Sequence, residues 1–422
     1  MSITNIIQSK DVYNIIRKAL EIMDVRIMRH GEVTAYFLYK MLQTDGIYSE
    51  QELADYTMIG MMHDIGMIKT GYSKRIVDRE TKGVWAHSVY GYLFFRYLSP
   101  IGDKAEIVLY HHLPFRLHGM IKSQYMKIAE YLTLADKMDM YLCTDGDGLN
   151  RNYFSQNAGV EFSAKAVESF NKAQAKYNIM EKLNDGSYKD EMDALLANAH
   201  FTEKYKKGFL EMLIYTIDFR SQQTVMHTLA TTAFALELGR ILRVSTKELQ
   251  LLYYGALLHD IGKIAIPVEI LEAPRRLTDE EMQVMKAHVS VSEKILRGII
   301  DDEVLEVAVR HHEKLDGSGY HRGLKGEELT QLQRIVAVAD ILSALYGKRS
   351  YKDSFEPEKI KAILMKDAEA GKICQGIVSV AVGNFDTIIR NYEKQRKNTL
   401  GIYETILTQY DKIYEQFKIY EQ

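Results

Sequence analysis

The chain has 422 residues, 46% hydrophobic and 26% charged, with a formal net charge of −3. That length suffices for two or three domains, each with its own core, and the composition is that of a soluble globular protein. It carries no broad basic surface for nucleic acid or membrane, so an anionic substrate has to be met by local cations.

The first residues, MSITNIIQSKDVYNIIRKALEIMD, mix polar and apolar side chains and contain no run long enough for a signal peptide or a membrane span. Two solitary cysteines, Cys143 and Cys374, rule out a disulfide framework and a cysteine zinc site. They suit a reducing compartment, and the cytoplasm is the expected location. With only five prolines and little strict alternation, helical spacing dominates. The expected fold class is all-α.

Along the chain, Ser49–Glu52 (SEQE) reads as a capping box opening an apolar helix that runs into His63-Asp64-Ile65-Gly66. Ser245–Glu248 (STKE) does the same before His259-Asp260-Ile261-Gly262, and in both cases the serine lies 14 residues before the histidine. In each, the glycine is expected to let the backbone turn. Between these, Leu229, Ala233 and Leu236 mark an apolar helix face continued by Leu238 and Leu242. Near the C-terminus, Tyr403, Ile406, Tyr410, Ile413 and Phe417 repeat every three to four residues. That stripe docks on the body of the protein or makes a homodimer contact.

Histidines and aspartates make an internal duplication explicit. One set is His30, His63, Asp64, His87, His111, His112 and Asp136; the other is His227, His259, Asp260, His288, His311, His312 and Asp340. Offsets between the copies run from 196 residues (His63 to His259) to 204 (Asp136 to Asp340). Local fragments agree as well: MMHDIG with LLHDIG, and TLADKMD with AVADILS. The expected domains are 1–185, a helical connector 186–214, a second domain 215–355, and C-terminal helices 356–422 that complete it or serve an oligomer.

Imidazole and carboxylate suit transition metals. Five histidines and two aspartates are too many for one tetrahedral zinc and fit two ions about 3.5–4 Å apart sharing a carboxylate. In an adjacent His-Asp pair the side chains diverge by about 100° on a helix, so the histidine binds one ion while the aspartate reaches both. A hydroxide bridging the ions then attacks phosphorus. Isolated histidines on apolar helices are usually packing residues; two ordered sets of seven are not. His118, His200 and His321 fit neither set, and the first two read as surface or packing residues.

The second copy resembles the HD-GYP branch of the HD phosphohydrolases. The likeness rests on LLHDIGKIAIP (257–267), LTDEEMQVMKAH (277–288), HHEKLDGSGYHRGLKGEEL (311–329) and RIVAVADILSALYGKRSYK (334–352). The resemblance implies hydrolysis of a cyclic dinucleotide, typically cyclic di-GMP, at a centre of two divalent metals, iron or manganese first and zinc, nickel or magnesium as alternatives. It makes His227, His259, Asp260, His288, His311, His312 and Asp340 the metal ligands, and Asp260 and Lys263 the catalytic pair. Lys263, Gly317, Tyr320, Arg349 and Lys352 become substrate contacts.

Departures are visible too. His321 stands where the family has the proline of its Gly-Tyr-Pro, and either binds substrate or is inert. Gln223, four residues before His227, replaces a glutamate that helps hold a third metal, which favours two. Ser343 replaces an aspartate. The first copy has the full ligand set, a candidate second metal site, but Met67 replaces the lysine and HHLPFRLHG replaces the loop. Arg26 there opposes a third metal. A regulatory or structural role is expected for this copy. Other phosphate esters as substrates, and nucleotide binding with weak catalysis, are the alternative functions. No DNA and no membrane partner is expected.

Overall fold

The computed structural model describes residues 6–70, 84–144, 151–199, 201–220, 226–347 and 355–421. Among them every regular element is a helix, and β pairing is limited to two isolated bridges, Ala158 with Phe162 and Asp316 with Lys325. No helix of the described residues is long and apolar enough to cross a membrane. Cys374 is a free thiol.

The chain forms two compact units. One contains Gln8–Met212 and Glu404–Gln422; the other contains Leu213–Tyr403 together with the first seven residues. The long helix Phe385–Phe417 therefore belongs to the C-terminal unit as far as Tyr403 and to the N-terminal unit beyond it.

In the N-terminal unit Asp24 ends the helix Ser9–Met23 and caps the next, Val25–Asp45, by accepting from the Arg26 N–H at 2.8 Å. The same carboxylate pairs with the Arg26 guanidinium at 2.5 Å. Helix Val25–Asp45 is buried along most of its length and packs on the helices Glu50–Met62, Met126–Thr144 and Ala164–Tyr177. Its Phe37 meets Phe170 edge-on at 5.8 Å. The C-terminal stripe adds to this core: Tyr410 stacks on Tyr90 at 4.0 Å, and Phe417 packs on the buried Trp85 at 4.7 Å.

In the C-terminal unit helix His227–Ile241 packs on both Thr246–Leu258 and Gln331–Tyr346. Leu229 and Leu238 of the expected face are buried, together with Ala230, Thr231, Phe234 and Ala235, whereas Ala233, Leu236 and Leu242 are only half-buried. The apolar face read from the sequence thus overlaps the real one only in part. Two flanking helices bury more than one stripe, and they accept Thr231 there because its hydroxyl has a buried partner in Ser343 at 2.7 Å.

Both expected capping boxes form. Ser49 and Ser245 each receive the N–H of the glutamate three residues on (3.3 and 3.2 Å), and each donates its own N–H to that carboxylate (2.9 and 2.7 Å). Each opens a helix of 13 residues that ends at the histidine of the His-Asp pair. The cap thereby sets where that histidine is presented. Ser245→Ala is expected to destabilise the C-terminal unit by about 1 kcal/mol, seen as a lower urea midpoint with an unchanged slope.

Candidate metal centres

Most of the candidate ligand histidines lie at or near a helix end, with His288 in the middle of the helix Asp279–Leu296, and a backbone bond orients five of the rings. His63, His111, His259, His288 and His311 each donate Nδ1–H to the carbonyl three residues earlier: Gly60, Val108, Ala256, Met285 and Ala308, at 2.6–2.7 Å. A carbonyl only accepts, so Nδ1 carries a proton and Nε2 is the ring atom turned toward the centre. Those Nε2 atoms converge. Nε2 of His63, His111 and His259 is buried without a hydrogen-bond partner. Buried nitrogens left so are costly unless a cation takes the lone pair.

In the C-terminal unit the seven predicted residues come together as two half-sites. His227, His259 and Asp260 form one cluster, and His288, His311 and His312 the other. Asp260 links them. Its Oδ2 lies 3.2 and 3.1 Å from Nε2 of His227 and His259, and its Oδ1 lies 3.2 Å from Nε2 of His288. Asp340 closes the cage, 3.0 Å from His227 and 3.6 Å from His312.

The N-terminal unit repeats this arrangement: His30, His63 and Asp136 in one cluster, and Asp64, His87, His111 and His112 in the other. Asp64 again spans both, with His87 at 3.3 Å and His63 at 3.6 Å, while Asp136 lies 3.0 Å from His30. Nε2 of His87 and His112 stand 3.1 Å apart, and those of His288 and His311 3.3 Å apart.

Electrostatics divide each centre the same way. Burial opposes charge on His30, His63, His227 and His259, yet the adjacent carboxylates overcome it and raise all four. Burial and neighbouring imidazoles lower His111 and His312 to about 3, and His112 and His311 also fall. Burial raises a carboxyl, but the histidines hold Asp64 and Asp136 below their usual range. They do the same for Asp340, and His259 with Lys263 does so for Asp260. Each centre thus combines carboxylates held anionic with a group of imidazoles held unprotonated (His111 and His112 in one, His288, His311 and His312 in the other), and such donors suit divalent transition metals.

The glycine of each His-Asp-Ile-Gly acts differently from expectation. Neither Gly66 nor Gly262 has a positive φ. A Cβ at either would lie 2.0 Å from the carbonyl oxygen of the next ligand histidine, His87 or His288. The glycine is required by the approach of a second helix, not by a turn.

Lys263 pairs with Oδ2 of Asp260, and Met67 occupies the matching buried position in the first unit. Tyr320 stacks on His312 at 4.6 Å, with the Lys286 ammonium 5.1 Å from its ring. Gly317 turns the loop at φ +80°, a conformation suited to glycine. His321 neither enters the cage nor stands idle: it pairs with Glu293 and contacts Ser290 at 3.2 Å, fastening the loop to the helix Asp279–Leu296. His118 is a packing residue, bonded to Glu130 at 3.1 Å and the Leu113 carbonyl at 2.8 Å. Arg349, Lys352, Gln223 and His200 lie outside the described residues.

Four supporting residues escaped the sequence reading. Buried Glu313 accepts the backbone N–H groups of His321, Arg322 and Leu324 at 3.2, 2.7 and 3.0 Å, which folds the loop around one carboxylate. Arg220 holds the carbonyls of Lys263, Ile264 and Ile266. Burial lifts Asp218 to about 7 against the pull of nearby Lys263. Asp139 receives Nδ1–H of His30 at 2.7 Å. Two had a visible signal: Asp139, as the last letter of TLADKMD opposite Ser343, and Glu313, as the third letter of HHEKLDGSGYHRGLKGEEL.

Residues 9–141 match the HD domain family, and residues 211–373 match an HD domain family again. The chain is a tandem of HD domains. A 3'3'-cGAMP-specific phosphodiesterase 1 of Vibrio cholerae is 26% identical over 400 residues, 90% of each chain, and so spans both HD domains. The cyclic di-GMP phosphodiesterase response regulator RpfG of Xanthomonas campestris is 34% identical over 43% of this chain and 53% of its own. A cyclic di-GMP phosphodiesterase of Thermotoga maritima is 38% identical over 34% of this chain and 40% of its own. Among solved structures, a cyclic GMP-AMP specific phosphodiesterase of Vibrio cholerae (V-cGAP3) shares the fold, with a TM-score of 0.56 at 18% identity over 89% of this chain and 98% of that one.

Gly262→Ala is expected to cost at least about 3 kcal/mol, because the clash is with backbone that cannot yield. Denaturation of the variant should show the C-terminal HD domain melting early.

Proposed function

We propose that this protein is a metal-dependent phosphodiesterase that hydrolyses a cyclic dinucleotide at the C-terminal HD centre. The observation that carries the reading is Lys263 bonded to Asp260, the carboxylate that faces both half-sites of a complete His/Asp cage. The relatives' names supply the substrate class: cyclic di-GMP for several, 3'3'-cGAMP for the one that spans both domains.

His227, His259, His288, His311, His312, Asp260 and Asp340 would hold two metals, iron or manganese first. When bound, such ions supply positive charge to the phosphoryl oxygens and make a water nucleophilic at neutral pH. The protein's own groups do the rest. Asp260 keeps the half-sites in register through its two oxygens. Lys263, positioned on Asp260 with its strand of backbone held by Arg220, presents an ammonium to a phosphoryl oxygen as charge develops there. Tyr320 covers His312 and lines the rim for the nucleotide, on a loop kept rigid by Glu313. Arg349 and Lys352, on the sequence pattern, complete the phosphate contacts.

The N-terminal HD domain has the cage without this apparatus: Met67 replaces the lysine, and Leu113 stands where the second domain has Glu313. We assign it metal binding without phosphodiester hydrolysis, in support of the second domain.

The test is incubation of the purified, metal-loaded chain with cyclic di-GMP, 3'3'-cGAMP and simple phosphate esters. Turnover of a cyclic dinucleotide is expected, absent in Asp260→Ala and reduced roughly 10²–10³-fold in Lys263→Met. Asp64→Ala should retain turnover. Activity confined to simple esters would favour a different phosphohydrolase, and no metal-dependent product at all would overturn the proposal.

A further inference from the structure

The two cages match, and the groups behind them do not. His30 donates Nδ1–H to the buried carboxylate of Asp139 at 2.7 Å. The corresponding partner of His227 is the hydroxyl of Ser343 at 2.8 Å. That hydroxyl donates to the Asp340 carbonyl at 2.8 Å and also meets Thr231 at 2.7 Å. With its one proton on the carbonyl, Ser343 accepts from His227 as a neutral group. Asp139 and Ser343 hold the same place, three residues after the last carboxylate of each set. A carboxylate behind a ligand histidine makes its Nε2 the stronger donor; a hydroxyl only orients the ring.

A second difference falls on the same half of the site. The Lys263 ammonium occupies Oδ2 of Asp260, the oxygen that faces His227 and His259. In the N-terminal domain the residue at the matching position is the buried, uncharged Met67. An ammonium on a shared carboxylate opposes a second cation at the same oxygen. Two other charges narrow the contrast, Asp218 near Lys263 and Lys137 near His112. Neither replaces Asp139 behind His30 or Lys263 on Asp260. Exposure adds a third difference: the side chain of His312 is 26% exposed and that of His112 only 9%.

We propose that the N-terminal centre is a resident metal site that fills first and exchanges slowly, that the C-terminal centre fills last, and that Asp139 is the positioning residue that sets this order. This rests on the reading of both cages as metal centres. It makes metal supply a control on the catalytic domain, because limiting metal is captured by the domain that does not hydrolyse.

The experiment uses the full chain, stripped of metal and titrated with Mn²⁺ by equilibrium dialysis and elemental analysis. An Asp260→Ala background reads the N-terminal centre, and an Asp64→Ala background reads the C-terminal one. The N-terminal dissociation constant is expected to be lower by roughly 10–100-fold, and Asp139→Ser to weaken that centre by a similar factor. Asp139→Asn keeps an acceptor without the charge and should weaken it less. Ser343→Asp should tighten the C-terminal centre, a gain that misfolding does not produce. Equal affinities in the two backgrounds, or no gain from Ser343→Asp together with unchanged binding in a folded Asp139→Ser, would overturn the proposal and leave the metal-dependent function standing. If the unsubstituted chain binds no Mn²⁺ at either centre, the functional reading fails, and this one fails with it.

Discussion

A helix that ends on a histidine leaves carbonyls without partners, and here the ring itself supplies one. His63, His111, His259 and His311 each sit at a helix C-terminus and donate Nδ1–H back to a carbonyl of the last turn. One bond closes the helix, selects the tautomer and aims Nε2 into the centre. Everything functional depends on this coupling. The cage is assembled from backbone positions that the helices would hold anyway, so little ordering of side chains remains for a bound ion to impose.

The consequence is a centre that survives divergence. The two domains share few side chains outside the candidate ligand set, yet Asp64 and Asp260 each stand between the two half-sites, and Gly66 and Gly262 admit the same close approach of the next helix. Evolutionary freedom lies one layer out. Replacing lysine by methionine, serine by aspartate, or the Glu313-centred loop by another alters what the cage does without disturbing how it is built. On the proposed reading, a duplicated domain keeps metal affinity in this way and loses the means of positioning a phosphodiester.

Much of the site was legible from residues alone. Two ordered sets of seven histidines and aspartates are a long-range pattern that chance does not repeat, and the capping boxes announced both helices that present them. The apolar face of His227–Ile241 was only partly placed, Leu229 and Leu238 being buried but Ala233 and Leu236 not, because a helix enclosed by two neighbours no longer shows one stripe. The reason for Gly262 was missed because a close approach between helices 26 residues apart in sequence leaves no local mark. Arg220 and Asp218 are common residue types with no spacing rule, and Glu313 stood inside a recognised loop without its role being visible; their roles arise from what folds onto them.

Helix type and the candidate ligand set are thus properties of short segments and of their repetition, and they need no knowledge of the folded chain. The division of each set into two half-sites is different. So are the aspartate facing both, the seating of Lys263 on that aspartate, and the choice of Asp139 or Ser343 behind the first histidine. Each depends on distances of about 3 Å between side chains far apart in sequence, and hydrogen bonds and ion pairs act only at that range. Only the packing of the helices decides them.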